Sequence, residues 1–183
     1  NAKNNIIAVS GPAPEVGKSF ISINLATIFA QSNKRVLLMD VDLRRGYLHK
    51  YFDREVNPGL TEVMNGSVTI EQAIYDTGVA NLDYLARGKS PSNPSEMLET
   101  EQFQALLKTL SSQYDHIILD TPPVLAVTDG IIMAQYAGVN LVVARYAKTQ
   151  LKELELTLAK FEQANTKVNG IILNDVRSTP GGG

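Results

Sequence analysis

Short apolar runs alternate with helically patterned segments along the whole chain. Residues 5–10, centred on Ile6-Ile7-Ala8-Val9, read as a buried strand, as do 35–40, 116–120, 139–144 and 167–173. Asn81-Leu82-Asp83-Tyr84-Leu85 alternates and reads as a further strand. Between these lie helices. Over 18–31, Ile21, Leu25, Ile28 and Phe29 share one face, and Ile23, Ala26 and Ala30 make the rest nearly apolar, as a helix pressed against a sheet requires. Leu60–Met64 predicts a short helix, and Thr69 caps a helix over 70–76. Ser95 caps a segment leading to Phe103, Leu106, Leu107 and Leu110, which are spaced as one amphipathic face. A helix over 128–136 is capped at Thr128 or Asp129, and Leu151, Leu154, Leu158 and Phe161 mark the last one. The rest of 43–67 is irregular, and 88–94 is a loop rich in Gly, Pro and Ser. Strands alternating with helices predict an α/β fold: a mostly parallel sheet with helices on both faces, in three layers, over a single domain spanning 1–183.

Composition narrows the function classes. The chain has 183 residues, 44% hydrophobic, with a net charge of −2. That suits one globular domain and gives no basic excess for nucleic acid. There is no cysteine, and the two histidines, His49 and His116, are far apart, so thiolate and zinc sites are not expected. No apolar run approaches the roughly 20 residues of a membrane helix, and the start lacks a signal-peptide pattern, so the chain reads as soluble. It begins one step before a strand and ends in Pro-Gly-Gly-Gly, which is expected of a piece of a longer protein.

The chemistry starts at Gly11-Pro12-Ala13-Pro14-Glu15-Val16-Gly17-Lys18-Ser19, which joins the first strand to the first helix. Strand, tight loop ending in Gly-Lys-Ser, helix is the layout of a phosphate-binding P-loop. Backbone N–H groups and the helix dipole favour an anion, Lys18 adds a full charge, and the Ser19 hydroxyl can ligate Mg²⁺. The usual pattern has Gly where this chain has Pro12. Pro12 and Pro14 have no N–H to donate, so the cradle must rest on Glu15, Val16, Gly17, Lys18 and Ser19, with the Glu15 side chain in solvent.

Three acids stand at strand ends. Asp40 and Asp42 flank Val41 and face the same way in an extended chain. Asp120 ends another strand. In a parallel sheet all carboxyl ends share one edge, so Lys18, Ser19, Asp40, Asp42 and Asp120 should converge there on Mg²⁺ and a nucleotide. Arg44 and Arg45 are phosphate clamps or solvated side chains. Asn174, at the end of the last strand, reads a nucleobase edge or is a turn residue.

Val36-Leu37-Leu38-Met39-Asp40-Val41-Asp42-Leu43-Arg44 resembles the Walker A′ motif of bacterial tyrosine kinases, and Ile117-Ile118-Leu119-Asp120-Thr121-Pro122-Pro123 is similar to their Walker B motif. Arg44-Arg45-Gly46-Tyr47, Arg87-Gly88, Asn93-Pro94-Ser95-Glu96 and Val143-Ala144-Arg145-Tyr146 look like the Wzc/Etk type, and the resemblance covers essentially the whole chain. It implies an autophosphorylating, ATP- and Mg²⁺-dependent tyrosine kinase that modifies itself and partners in capsule or exopolysaccharide synthesis and export. In such a kinase Lys18 holds the phosphates. Ser19, Asp40 and Asp120 serve Mg²⁺. Asp42 orients or deprotonates the tyrosine hydroxyl, with a secondary role at the metal. Tyr47 is the internal phosphorylatable tyrosine, with Arg87 to receive its phosphate, unless Tyr47 is ordinary loop packing. The resemblance also implies a membrane-anchored whole protein with this domain on the cytoplasmic side of the bacterial inner membrane, and a homo-oligomer. The family's C-terminal tyrosine cluster is missing: the last tyrosine is Tyr146. The alternative is a nucleotide-switched ATPase like MinD or ParA. Pro14, and Ala13 where those loops carry a signature lysine, argue against it.

Overall fold

The computed structural model describes residues 1–177, so the Pro-Gly-Gly-Gly end lies outside the described residues. The elements in chain order are β1 (Ile6–Ser10), α1 (Lys18–Gln31), β2 (Val36–Asp40), α2 (Leu48–Tyr51), α3 (Leu60–Met64), α4 (Ile70–Ala73), β3 (Tyr75–Asp76), β4 (Leu82–Leu85), α5 (Pro94–Glu99), α6 (Glu101–Gln113), β5 (His116–Asp120), α7 (Asp129–Tyr136), β6 (Val139–Arg145), α8 (Leu151–Gln163) and β7 (Gly170–Asn174). The strands form one seven-stranded sheet in the order β3-β4-β2-β5-β1-β6-β7. Every pairing is parallel except that of β3 with β4.

Alternation along the central strands sorts side chains onto two faces. Ile7, Val9, Leu38 and Ile118 pack with Ala26 and Ala30 of α1 and Leu48 of α2. Ile6, Ala8, Leu37, Met39, Ile117 and Leu119 pack on the other face with Leu60, Leu98, Phe103, Leu107, Leu110 and Met133 from α3, α5, α6 and α7. The expected α/β sheet with helices on both faces is what forms.

Four expectations are corrected. The buried stripe of α1 is Ser22, Ala26 and Ala30, while Ile28 is 58% exposed. Small residues let the helix axis approach the sheet, and the larger side chains splay to the flanks, where Phe29 stacks on His116 with ring centroids 4.4 Å apart. The helix expected over 70–76 stops at Ala73, because Ile74 is extended and Tyr75–Asp76 pair with β4. Thr69 does cap it, accepting the Gln72 N–H. Ser95 is not a cap: Pro94 opens α5 as its first residue, and Thr100 caps α6 through the Phe103 N–H at 3.1 Å. The last strand starts at Gly170 rather than Lys167.

Candidate active site

Because β1, β2 and β5 run parallel, their carboxyl ends meet at one edge. Asp40 and Asp120 are register partners on neighbouring strands. Both are buried, at 0% and 3% exposure. Asp120 accepts the Lys18 ammonium at 3.2 Å, the Ser19 hydroxyl at 2.7 Å and the Ser22 hydroxyl at 3.2 Å. Burial pulls the Lys18 ammonium down, but Asp120, with Asp40 and Asp42 behind it, outweighs this and leaves Lys18 raised above its ordinary value. Asp40 is pushed well above the usual carboxylate range by burial, then by Asp120 and Asp42; the Leu48 N–H and Lys18 only partly offset this.

The turn after β2 is folded around Asp40. Its Oδ1 accepts the Asp42 N–H and its Oδ2 the Leu48 N–H, both at 3.2 Å. A Cβ on Gly46 would lie 2.1 Å from Asp40 Oδ1, so only glycine lets the chain pass there. Asp42 lies beyond the strand, and its Oδ1 accepts the N–H groups of Arg44 and Arg45. The two acids therefore sit at different depths, Asp40 walled in and Asp42 facing the cleft.

The P-loop is held from its outer side. Glu15 and Gly17 take left-handed backbone, with φ of 66° and 88°. A Cβ on Gly17 would meet the Asn174 amide at 1.9 Å. Asn174 donates to the Val16 carbonyl at 3.1 Å, and Arg145 donates to the Glu15 carbonyl at 3.1 Å and to Asp175. The N–H groups of Glu15, Val16, Gly17, Lys18 and Ser19 donate to no backbone carbonyl of the described residues. The Glu15 side chain is exposed. These loop residues, except Val16, border a cleft of about 660 Å³ with Ala13, Pro14, Phe20, Asp42, Arg45, Tyr47, Tyr51, Pro123 and Arg145.

Open N–H groups, an ammonium and flanking arginines fit a polyphosphate. No group of three or more acidic or histidine side chains among the described residues forms a ready cation cage. Mg²⁺ characteristically takes one or two carboxylates and completes its shell with water and phosphate, and Ser19 beside Asp120 suits that.

The structure thus brings Lys18, Ser19, Asp40, Asp42 and Asp120 to one edge. Tyr47 borders the cleft, half exposed. Arg87 reaches the same turn, donating to the Gly46 carbonyl at 2.6 Å. Arg45 borders the cleft, whereas Arg44 turns away to pair with Asp129 at 3.1 Å. Asp129 is fully buried and also accepts the Ser95 hydroxyl, so it is a structural anchor rather than a helix cap. Sequence reading assigned no role to Arg145 or Tyr51. The signals were there: Arg145 ends β6 on the P-loop edge, and Tyr51 follows Tyr47 by one helical turn.

The AAA domain family matches residues 4–170. The kinase domain of Escherichia coli tyrosine kinase ETK superposes with a TM-score of 0.92 at 38% identity, covering 98% of this chain and 71% of that one. The chain belongs to the bacterial tyrosine kinase family. Another member of this kinase family, the tyrosine-protein kinase ptk of Acinetobacter johnsonii, is 65% identical over 182 residues, which is 100% of this chain and 25% of that protein. The chain therefore spans about a quarter of the length of its curated kinase relatives. The septum site-determining protein MinD of Pyrococcus horikoshii, solved with Mg-ADP, has a TM-score of 0.76 at 23% identity with 93% of this chain and 70% of its own covered, a likeness of fold alone.

Proposed function

We propose that this chain is the catalytic domain of an ATP- and Mg²⁺-dependent protein tyrosine kinase that phosphorylates tyrosines of its own and of other proteins. The observation that carries this is a single cleft bordered at once by Lys18 and Ser19, by the Asp42 carboxylate and by a tyrosine, Tyr47. Phosphoryl transfer needs chiefly positioning and neutralisation of charge. Lys18 and the open N–H groups from Glu15 to Ser19 bind and orient the phosphates. Ser19 and Asp120, with Asp40 behind them, would hold Mg²⁺, which would neutralise phosphate charge when bound. Asp42 orients the acceptor hydroxyl and takes its proton. Asn174 either continues to brace Val16 or turns its amide to a nucleobase edge. Once Tyr47 carries a phosphate, Arg87 exchanges its bond to Gly46 for that phosphate, a charge-assisted pair.

At the level of the whole protein we propose the setting that the family resemblance implies: a homo-oligomer anchored at the inner membrane, acting on the capsule or exopolysaccharide machinery. Within the chain itself, no helix of the described residues is long and apolar enough to cross a membrane. The test is mapping of phosphotyrosine by mass spectrometry after incubation with ATP and Mg²⁺, with a tyrosine-rich peptide present. Phosphotyrosine is expected, and Lys18→Met should abolish it. Phosphate release to water with no phosphotyrosine would instead indicate the ATPase reading.

A further inference from the structure

The cleft is bordered by two tyrosines, and the function proposed above uses only Tyr47. Tyr51 closes α2, one turn after Tyr47, and their rings stack with centroids 6.0 Å apart and planes at 22°. It is 52% exposed and borders the same cleft as Lys18, Ser19 and Asp42. The remaining tyrosines are placed differently. Tyr75, Tyr84, Tyr114 and Tyr136 are buried or half-buried. Tyr146 is exposed but is not among the residues that border the cleft.

The surroundings of the Tyr51 phenol bear on its chemistry. Burial against the cleft wall raises its pKa, its neighbour Tyr47 adds to that, and it lies within the electrostatic reach of Asp120 and Lys18. It is a neutral hydroxyl held where the loop binds phosphate. It needs a base, and Asp42 borders the same cleft. Arg45 and Arg145, on the cleft border, supply charge for a phosphate attached there.

We infer that Tyr51 is a second phosphate-accepting tyrosine of the active-site cleft, modified by its own chain. The inference rests on the kinase reading. Tyr51 Oη attacks the γ-phosphorus of ATP and an O–P bond forms. The bond from that phosphorus to the β,γ-bridging oxygen breaks, ADP leaves with the electron pair, and the phenolic proton passes to the Asp42 carboxylate. Phosphotyrosine brings about −1.5 to −2 charges. On Tyr51 that charge borders the cleft that Lys18 also borders, where the nucleotide phosphates would bind.

Trypsin separates the two sites, because Lys50 lies between them: Tyr47 falls in Gly46–Lys50 and Tyr51 in Tyr51–Arg54. The experiment incubates the protein, and its Tyr47→Phe, Tyr51→Phe and Lys18→Met variants, with ATP and Mg²⁺ and maps phosphate by mass spectrometry. A tyrosine-rich peptide in each reaction reports kinase activity. To tell own-chain transfer from transfer between chains, isotope-labelled Lys18→Met protein is mixed with unlabelled active protein. Phosphate is expected on Tyr51 of the active chain and of Tyr47→Phe, and on no tyrosine of Lys18→Met protein incubated alone. In the mixture it is expected on the unlabelled chain only. Phosphate on Tyr47 or on the peptide with none on Tyr51 overturns the inference and leaves the kinase reading standing. Phosphate on Tyr51 of the labelled chain overturns modification within one chain. No phosphotyrosine anywhere overturns the kinase reading and this inference with it.

Discussion

Asp129 shows how much a single side chain holds in place. It is fully buried, and its partners are Arg44 on the turn after β2 and Ser95 on α5. Removing Arg44 leaves a buried carboxylate with only a hydroxyl for company. Stranding a buried charge by removing its partner costs about 3–5 kcal/mol, and the part-exposed Arg44 puts this pair at the lower end. Arg44→Ala is therefore expected to lower the unfolding free energy by that amount, read from the shift of the urea midpoint, and to loosen the turn that carries Asp42. Gly17 offers a second test. Alanine there must adopt φ of 88° and displace the Asn174 amide that its Cβ would meet at 1.9 Å. Left-handed strain of this kind costs of order 1–3 kcal/mol. Gly17→Ala is expected to lose that stability, and calorimetry should show weakened binding of Mg-ATP.

At the scale of elements, the central strands were legible because parallel strands buried on both faces are unbroken apolar runs. Val36-Leu37-Leu38-Met39 and Ile117-Ile118-Leu119 have strand rather than helix length, and α1 begins and ends where its pattern places it. The converging acids were legible for the same reason: parallel topology decides where strand ends go. What was not legible depends on packing between distant segments. Helical spacing cannot show that small residues rather than Ile28 face the sheet, nor that Asp129 is an anchor rather than a cap. The four-residue α2 is too short to show a periodicity, so only the four-residue spacing from Tyr47 marks Tyr51. The stripe along α1 makes a paired prediction. Ala26→Leu overfills a contact with no space and should cost about 1–3 kcal/mol. Ile28→Ala, on the wet side, should stay within about 0.5 kcal/mol. Both are read from denaturant midpoints.

At the scale of the whole molecule, the buried acids couple stability to pH. Asp40 in the folded state holds its proton to higher pH than the ordinary 3.8. The folded protein therefore takes up that proton first as pH falls. Its contribution to stability is present below 3.8, shrinks as pH rises from there toward the raised folded value, and is gone above it. His49 works the other way. Its folded value is lowered from 6.5 by burial and by Arg87, so stability is lost as pH falls below 6.5. Urea midpoints of ligand-free protein measured from about pH 8 to about pH 4 are expected to change slope on Asp40→Asn substitution, with the acid-side gain removed. An unchanged slope would assign the dependence to His49 and the remaining groups.

The outermost strand gives the loop an unusual neighbour. Among the described residues β7 pairs only with β6, so one side of it is a margin of the sheet, yet Asn174 at its tip grips Val16 and Asp175 next to it steadies Arg145 on Glu15. An edge strand leaves one row of backbone groups unpaired, where another strand or chain can add. Here that margin is sewn to the P-loop. A new neighbour along β7 thereby reaches the P-loop carbonyls of Val16 and Glu15 across two hydrogen bonds.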